Sequence, residues 1–214
     1  MSTLESRLFA AVQPHDLLTH PFYQAWNMGS LTRRDLAGYA AQYRHQVDAL
    51  PALLSAARDA SPDAETRASL QRNLDEEEGR KGPAHAALWG RFSDALDARA
   101  EAPAAETAAS HAALAKLCAE GEVEALGALW AYELQTQRVA KTKREGLTQR
   151  YGVSEVSFFS LHEELDQHHA AELLAALERR CAGDAALEAR ACDAAQRSAK
   201  AQWLFLDGAE SRRA

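Results

Sequence analysis

The sequence contains few of the residues that interrupt helices and few cysteines. Its 214 residues include 11 glycines, 6 prolines and 3 cysteines. Scarce helix breakers in an alanine-rich chain favour helices over sheets. Cys118, Cys181 and Cys192 are odd in number and lack the spacing of a disulfide framework, so we expect reduced thiols and a cytoplasmic protein.

Long apolar runs and an excess of basic charge are also missing. The longest apolar runs are much shorter than a membrane span, and no basic stretch followed by an apolar one marks a signal peptide at the N-terminus. The formal net charge is −7. We therefore expect neither a membrane nor a nucleic acid as partner.

The sequence does have enough apolar residues for a sizeable core, because 47% of the chain is hydrophobic. No segment alternates strictly between apolar and polar residues as a strand would. We predict one all-α domain over residues 1–214, with seven or eight helices and with 1–15 and 207–214 at its periphery. The predicted helices are about 3–12, 20–28, 33–58, 63–79 (interrupted at 82–83 and resuming to about 96), 105–119, 122–149, 155–181 and 184–206.

The most informative motif is the run His162-Glu-Glu-Leu-Asp166-Gln-His-His169. In a helix, His162, Asp166 and His169 lie on one face. Two imidazoles and a carboxylate are suitable donors for a non-haem iron or manganese ion. A solvated polar face is the alternative, although the phenylalanines and leucines around the motif place it beside the core.

A second candidate pair is Glu78 and His85. Seven residues of straight helix rise about 10.5 Å, too far for both side chains to bind one ion directly. Gly82-Pro83 interrupts the helix, so a bent turn could direct both side chains into one cavity. The alternative is that residues 75–78 form a solvated acidic patch.

Glu133 lies in an apolar run, where a carboxylate without a partner is costly to bury. It could pair with Arg138 or Lys143, or bind a metal. Carboxylates and imidazoles without thiolates suit iron or manganese better than structural zinc, and their origin on three separate helices predicts a two-metal centre in a helical bundle. The six candidate ligands are Glu78, His85, Glu133, His162, Asp166 and His169.

Several motifs resemble a known superfamily. The segments 20–26, 29–32 and 39–43 (HPFYQAW, GSLT and YAAQY) resemble the haem-oxygenase-like helical proteins that include TenA and PqqC. The six candidate ligands resemble those of the haem-oxygenase-like diiron oxidases. Within that branch, residues 16–206 resemble the CADD-type self-sacrificing para-aminobenzoate synthases. The resemblance implies a single haem-oxygenase-like helical bundle.

The resemblance also implies roles for particular residues. Tyr23 matches the tyrosine that supplies the ring of para-aminobenzoate, and Lys143 matches the lysine implicated as amino donor. Tyr43 falls at a further position near the site. The family implies two metal ions, Fe/Fe or Fe/Mn, together with dioxygen, an external reductant, a single turnover and a homodimer.

Two other interpretations stay open at the level of sequence. The chain could be a diiron oxidase of the same fold that turns over an external small substrate. It could also be a metal-free helical interaction module in which the acids and histidines form a salt-bridge network.

Overall fold

The computed structural model describes residues 3–213, apart from the side chains of residues 164–167. The described chain contains nine α-helices, two short 3-10 helices and no strand, which confirms the all-α prediction. None of the described helices is long and apolar enough to cross a lipid bilayer. The helices are α1 Leu4–Val12, α2 Pro21–Met28, α3 Arg33–Ala60, α4 Ala64–Glu77, α5 His85–Ala95, α6 Ala105–Glu120, α7 Glu122–Arg150, α8 Ser157–Cys181 and α9 Ala185–Ser211, and the 3-10 helices are Gln13–His15 and Leu17–Thr19.

The count of seven or eight helices was too low because the chain breaks fully between α4 and α5. Gly79 has a φ of +75°, a conformation that glycine adopts readily. A Cβ atom at Gly79 would lie 2.6 Å from the backbone nitrogen of Ala84, so the turn closes too tightly for any other residue. The predicted interruption at 82–83 therefore separates two distinct helices, α4 and α5.

Helix α7 forms the centre of the bundle. Its residues 123–133 are all buried, and the helix packs mainly against α8 and α9. One part of the core is largely aliphatic and includes Leu8 and Leu54, so α1 contributes to it. The other part is rich in aromatic rings, including Trp26 and Trp89.

Helix α2 begins with two local signals and presents an aromatic face to this second part of the core. The Nδ1 atom of His20 accepts a hydrogen bond from the backbone N–H of Phe22 at 3.1 Å, and Pro21 occupies the first turn, where its missing N–H is not needed. Tyr23 and Trp26 are three residues apart and both are buried. Their spacing places them on the same face of α2.

Candidate active site

A buried cluster of one carboxylate and two imidazoles lies between three helices. Glu77 ends α4, His85 begins α5, and His162 lies on α8. One potential ligand atom from each residue lies within 4.8 Å of the others. The Glu77 carboxylate is 2.8 Å from Nδ1 of His85, and the two imidazole ring centroids are 4.6 Å apart.

A second group of acids and one imidazole shares helices α4 and α8 with the first. The Nε2 atom of His169 lies 2.8 Å from a carboxylate oxygen of Glu76, and its Nδ1 atom lies 4.0 Å from Oε1 of Glu133. Asn73 donates a side-chain hydrogen bond of 2.8 Å to the same oxygen of Glu133. The site therefore has two adjoining groups of oxygen and imidazole donors.

Four of the six predicted ligands, His85, Glu133, His162 and His169, are buried in these two groups. Glu78 is placed differently: it caps the C-terminus of α4, and its carboxylate pairs with Arg80 at 2.6 Å. Successive helical residues point about 100° apart, so a helix that directs Glu77 into the core turns Glu78 away from it. The structure directs Glu77 inward and leaves Glu78 at the surface. The side chain of Asp166 lies outside the described residues.

The buried imidazole of His162 is neutral over most of the pH range. Burial lowers its pKa from 6.5 to about 3, with the negative charge of Glu77 opposing that shift and the positive charges of His85 and Lys143 adding to it. A neutral imidazole keeps a nitrogen lone pair available for a metal. This part of the site is therefore in the state that ligation requires.

The chemistry of the donor set fits iron or manganese. Carboxylate oxygens and imidazole nitrogens suit these ions, whereas thiolates would favour zinc or an iron–sulfur cluster. Cys118 and Cys181 pack in the aliphatic part of the core, and burial raises the pKa of the Cys118 thiol to about 12. Neither thiol is among the donors of the two groups.

Lys143 lies beside this site and is enclosed by aromatic rings. It is 3% exposed, and its Nζ atom donates a hydrogen bond of 2.7 Å to the hydroxyl of Tyr39. The same Nζ atom lies 5.0 Å from the ring centroid of Tyr23 and 4.8 Å from that of Tyr43, close enough for cation–π attraction. The structure thus brings together the three residues that the resemblance singled out: Tyr23, Tyr43 and Lys143.

The hydroxyls of Tyr23 and Tyr39 connect this lysine to the tyrosine on α2. They lie 3.1 Å apart, so Tyr39 contacts both the Lys143 ammonium and the Tyr23 phenol. Burial raises the pKa of Tyr23 well above 10, although the hydrogen bond with Tyr39 opposes this. Tyr23 is therefore a protonated phenol at neutral pH, and oxidising it must remove a proton as well as an electron.

A small cavity of about 20 Å³ adjoins the same residues. Tyr23, Tyr43, Tyr132 and Lys143 all line it, and the hydroxyls of Tyr43 and Tyr132 are 3.5 Å apart. A cavity of this size accommodates about one water molecule.

Sequence reasoning missed Tyr39, Glu76 and Glu77 as members of the site. Tyr39 could have been found, because it precedes Tyr43 by one helical turn, and the two rings stack with centroids 5.5 Å apart. The choice among adjacent glutamates depends on where α4 ends. Helix ends are the least reliable part of any prediction from sequence.

The sequence relatives fall into one named group. The model of a family described as iron-containing redox enzymes matches residues 37–203. A 4-aminobenzoate synthase from Nitrosomonas europaea is 35% identical to this chain, in a match covering 97% of this chain and 91% of the relative. A protein of the same name from Chlamydia trachomatis serovar D is 34% identical, covering 92% of this chain and 87% of the relative.

Solved structures agree on the fold. A CADD-like protein of unknown function from Nostoc punctiforme has a TM-score of 0.75 at 19% identity, covering 99% of this chain and 97% of the other. A TenA homologue from Pseudomonas syringae has a TM-score of 0.77 at 18% identity, covering 98% and 93%. The family model and the sequence relatives together show that the chain belongs to the haem-oxygenase-like family of iron-containing redox enzymes, alongside the relatives named 4-aminobenzoate synthase.

Proposed function

We propose that this protein forms 4-aminobenzoate from its own Tyr23 in a single oxygen-dependent turnover, with Lys143 as the nitrogen donor. The observation that carries the proposal is the buried contact between these two residues. The Lys143 ammonium lies over the Tyr23 ring, and one hydroxyl, that of Tyr39, contacts both. The relatives named 4-aminobenzoate synthase support the choice of product.

The proposal includes a two-metal centre of Fe/Fe or Fe/Mn next to the tyrosine–lysine site. Glu77, His85 and His162 would hold one ion. Glu133 and His169 would hold the other, together with Asp166, which lies on α8 with His169. When bound, the metals activate dioxygen with electrons from an external reductant and supply the oxidising power.

The role of the protein itself is to position the reacting groups and to keep water out. The long side chain of Lys143 has many rotamers when it is free. Here four aromatic rings and the Tyr39 hydroxyl hold its amine next to Tyr23. Restricting two reactants to contact distance lowers the entropic part of the barrier. Tyr39 is also placed to exchange a proton with either partner as the phenol is oxidised and the amine is used.

The proposal is tested by intact mass spectrometry. Protein loaded with Fe(II), or with Fe(II) and Mn(II), under nitrogen is weighed before and after exposure to dioxygen and a reductant. We expect a loss of mass that maps to Tyr23, together with released 4-aminobenzoate. Tyr23→Phe should release none while binding the same amount of metal, whereas Tyr151→Phe, at the half-buried tyrosine outside the site, should still react.

The nitrogen donor is tested by a matched pair of lysines. Lys143→Gln should abolish 4-aminobenzoate formation, and Lys141→Gln, an exposed neighbour on the same helix, should not. Growth on ¹⁵N-lysine should place the label in the product. An unchanged protein mass with metal bound would instead indicate oxidation of an external substrate, and failure to bind metal would indicate the interaction module.

A further inference from the structure

A large surface cleft lies beside the first turns of α3, and none of the candidate metal ligands lines it. Its volume is about 520 Å³, within the range of small-molecule sites. We call it the arginine cleft. It is lined by the first turns of α3, the connection between α5 and α6, and the end of α9, and its arginines come one from each: Arg34, Arg99 and Arg212.

The arginine cleft brings three arginines together with three carboxylates, in a chain with a net charge of −7. Among the described residues, Arg34 and Arg99 form no ion pair, and Arg212 reaches Glu106 only at 3.7 Å. The three carboxylates that line the cleft already accept hydrogen bonds from residues that do not line it. These pairs are Asp35 with Thr32, Asp97 with Arg33, and Glu101 with Gln42. The arginines are therefore the groups left to bind a ligand, and that ligand should be an anion.

The floor of the arginine cleft is a glycine that the fold does not require. Gly38 lies inside α3, where glycine is less stable than alanine. A Cβ atom added to Gly38 would have no neighbouring atom within 4 Å. Gly146 differs, because a Cβ atom there would lie 2.7 Å from Trp26. Among the residues that the structure describes, no neighbour explains the missing side chain. A flat ligand resting against the helix backbone would explain it.

The next residue links the cleft to the buried site. Tyr39 lines the arginine cleft, and its hydroxyl contacts Lys143 and Tyr23. We propose that the arginine cleft binds a small aromatic carboxylate, with the carboxylate on Arg34 and Arg99 and the ring over Gly38. The inference rests on the proposed function, because 4-aminobenzoate is such an anion and would be released next to this cleft.

Isothermal titration of the full-length, iron-loaded Tyr23→Phe protein tests the proposal without any turnover. We expect 4-aminobenzoate and benzoate to bind and aniline, which lacks the carboxylate, not to bind. Arg34→Gln and Arg99→Gln should each weaken binding about tenfold, the effect of losing one charge-assisted hydrogen bond. Arg197→Gln, at a surface arginine paired with Glu120, serves as the control and should bind as tightly as before.

Gly38→Ala separates a ligand site from a structural glycine. It should raise the melting temperature by about 2–4 °C, because alanine favours the helix, and yet weaken benzoate binding about as much as the loss of an arginine. The proposal would be overturned if aniline bound as tightly as benzoate. It would also be overturned if Arg34→Gln, Arg99→Gln and Gly38→Ala all left benzoate binding unchanged. A change in oligomeric state as the sole effect of Gly38→Ala would overturn it too. If the variant binds benzoate but the wild-type protein makes no 4-aminobenzoate, the cleft is still an anion site. Only the proposed reaction would then be refuted.

Discussion

At the scale of single residues, three consecutive glutamates at the end of α4 point to three different partners. Glu76 contacts His169, Glu77 contacts His85, and Glu78 pairs with Arg80. Glu77 has 4% of its side chain exposed, against 37% for Glu78. Burial and partner therefore single out Glu77, whereas the sequence had been interpreted with Glu78 as the ligand.

Metal binding by two isosteric variants distinguishes these neighbours. Glu77→Gln should weaken iron binding more than about tenfold, because even residues that only support a ligand typically cost 10–100-fold. Glu78→Gln removes the same charge from a surface ion pair and should leave iron binding within about twofold. Iron content after gel filtration and competition with a chelator give the measurement. The reverse order would show that α4 shifts by one residue when metal binds.

The buried His162 on α8 predicts how the stability of the metal-free protein depends on pH. Because burial holds the pKa of His162 at about 3 in the folded state and the unfolded chain has its usual 6.5, protons favour the unfolded state between these values. Stability should therefore fall as the pH drops from 6.5 towards 3, with His162 contributing about 1 kcal/mol per pH unit.

Urea unfolding of metal-free protein at pH 7 and pH 5 measures this dependence. His162→Gln should make the free energy of unfolding less dependent on pH over that range. His168→Gln, at an exposed histidine six residues further along α8, should leave the dependence as it is. A pH dependence that survives His162→Gln would assign the effect to other groups.

At the scale of elements, the contact between α2 and α7 aligns Tyr23 with Lys143. The indole N–H of Trp26 donates to the backbone carbonyl of Lys143 at 3.3 Å, and its ring lies against Gly146. Tyr23 is one turn before Trp26, so this contact also sets the position of the tyrosine. The local fold of α2 thus serves the geometry of the site.

Gly146→Ala should destabilise the protein, because its Cβ would lie 2.7 Å from two atoms of the Trp26 indole. Overpacking typically costs about 1–3 kcal/mol and exceeds the gain of about 1 kcal/mol from alanine in a helix. In a Trp26→Phe background the smaller ring leaves room, and the same change should become neutral or stabilising. Denaturant unfolding of the four proteins measures this coupling.

The matched control for this experiment is Gly90→Ala on α5. A Cβ atom there would meet only a guanidinium nitrogen of Arg44 at 3.7 Å, an ordinary contact. It should stabilise the protein by up to about 1 kcal/mol. If Gly146→Ala were equally stabilising, the proposed close contact between α2 and α7 would be wrong.

At the scale of the whole molecule, the two donor groups join four helices from different parts of the chain. Glu77 ends α4, His85 begins α5, Glu133 lies on α7, and His162 and His169 lie on α8. In the proposed centre one ion would join α4, α5 and α8, and the other would join α7 and α8. The two ions together would therefore fix the relative positions of all four helices, and they could do so only in the folded state.

Iron should therefore raise the melting temperature under nitrogen. A ligand that binds only the folded state at a hundredfold excess over its Kd stabilises that state by about 2.7 kcal/mol. Chelation should reverse the shift, and the double variant His85→Ala/His162→Ala should show little of it. An equal shift in that variant would place the stabilising metal elsewhere.

The sequence by itself determined the helical class, most helix ranges and the buried histidines of α8. Scarce glycine and proline, apolar periodicity and the spacing of His162 and His169 are local properties, and local rules suffice to interpret them. The resemblance carried by short motifs also pointed to Tyr23 and Lys143, which are 120 residues apart, before any geometry was known.

Only the tertiary structure decided which glutamate faces the site, that Tyr39 joins Lys143 to Tyr23, and that Gly38 lies on the floor of an arginine cleft. The first depends on the residue at which α4 ends, and the others depend on how separate helices pack. A shift of one residue turns a helical side chain by about 100°. An error of one residue in the predicted end of a helix therefore changes which side chains are in contact.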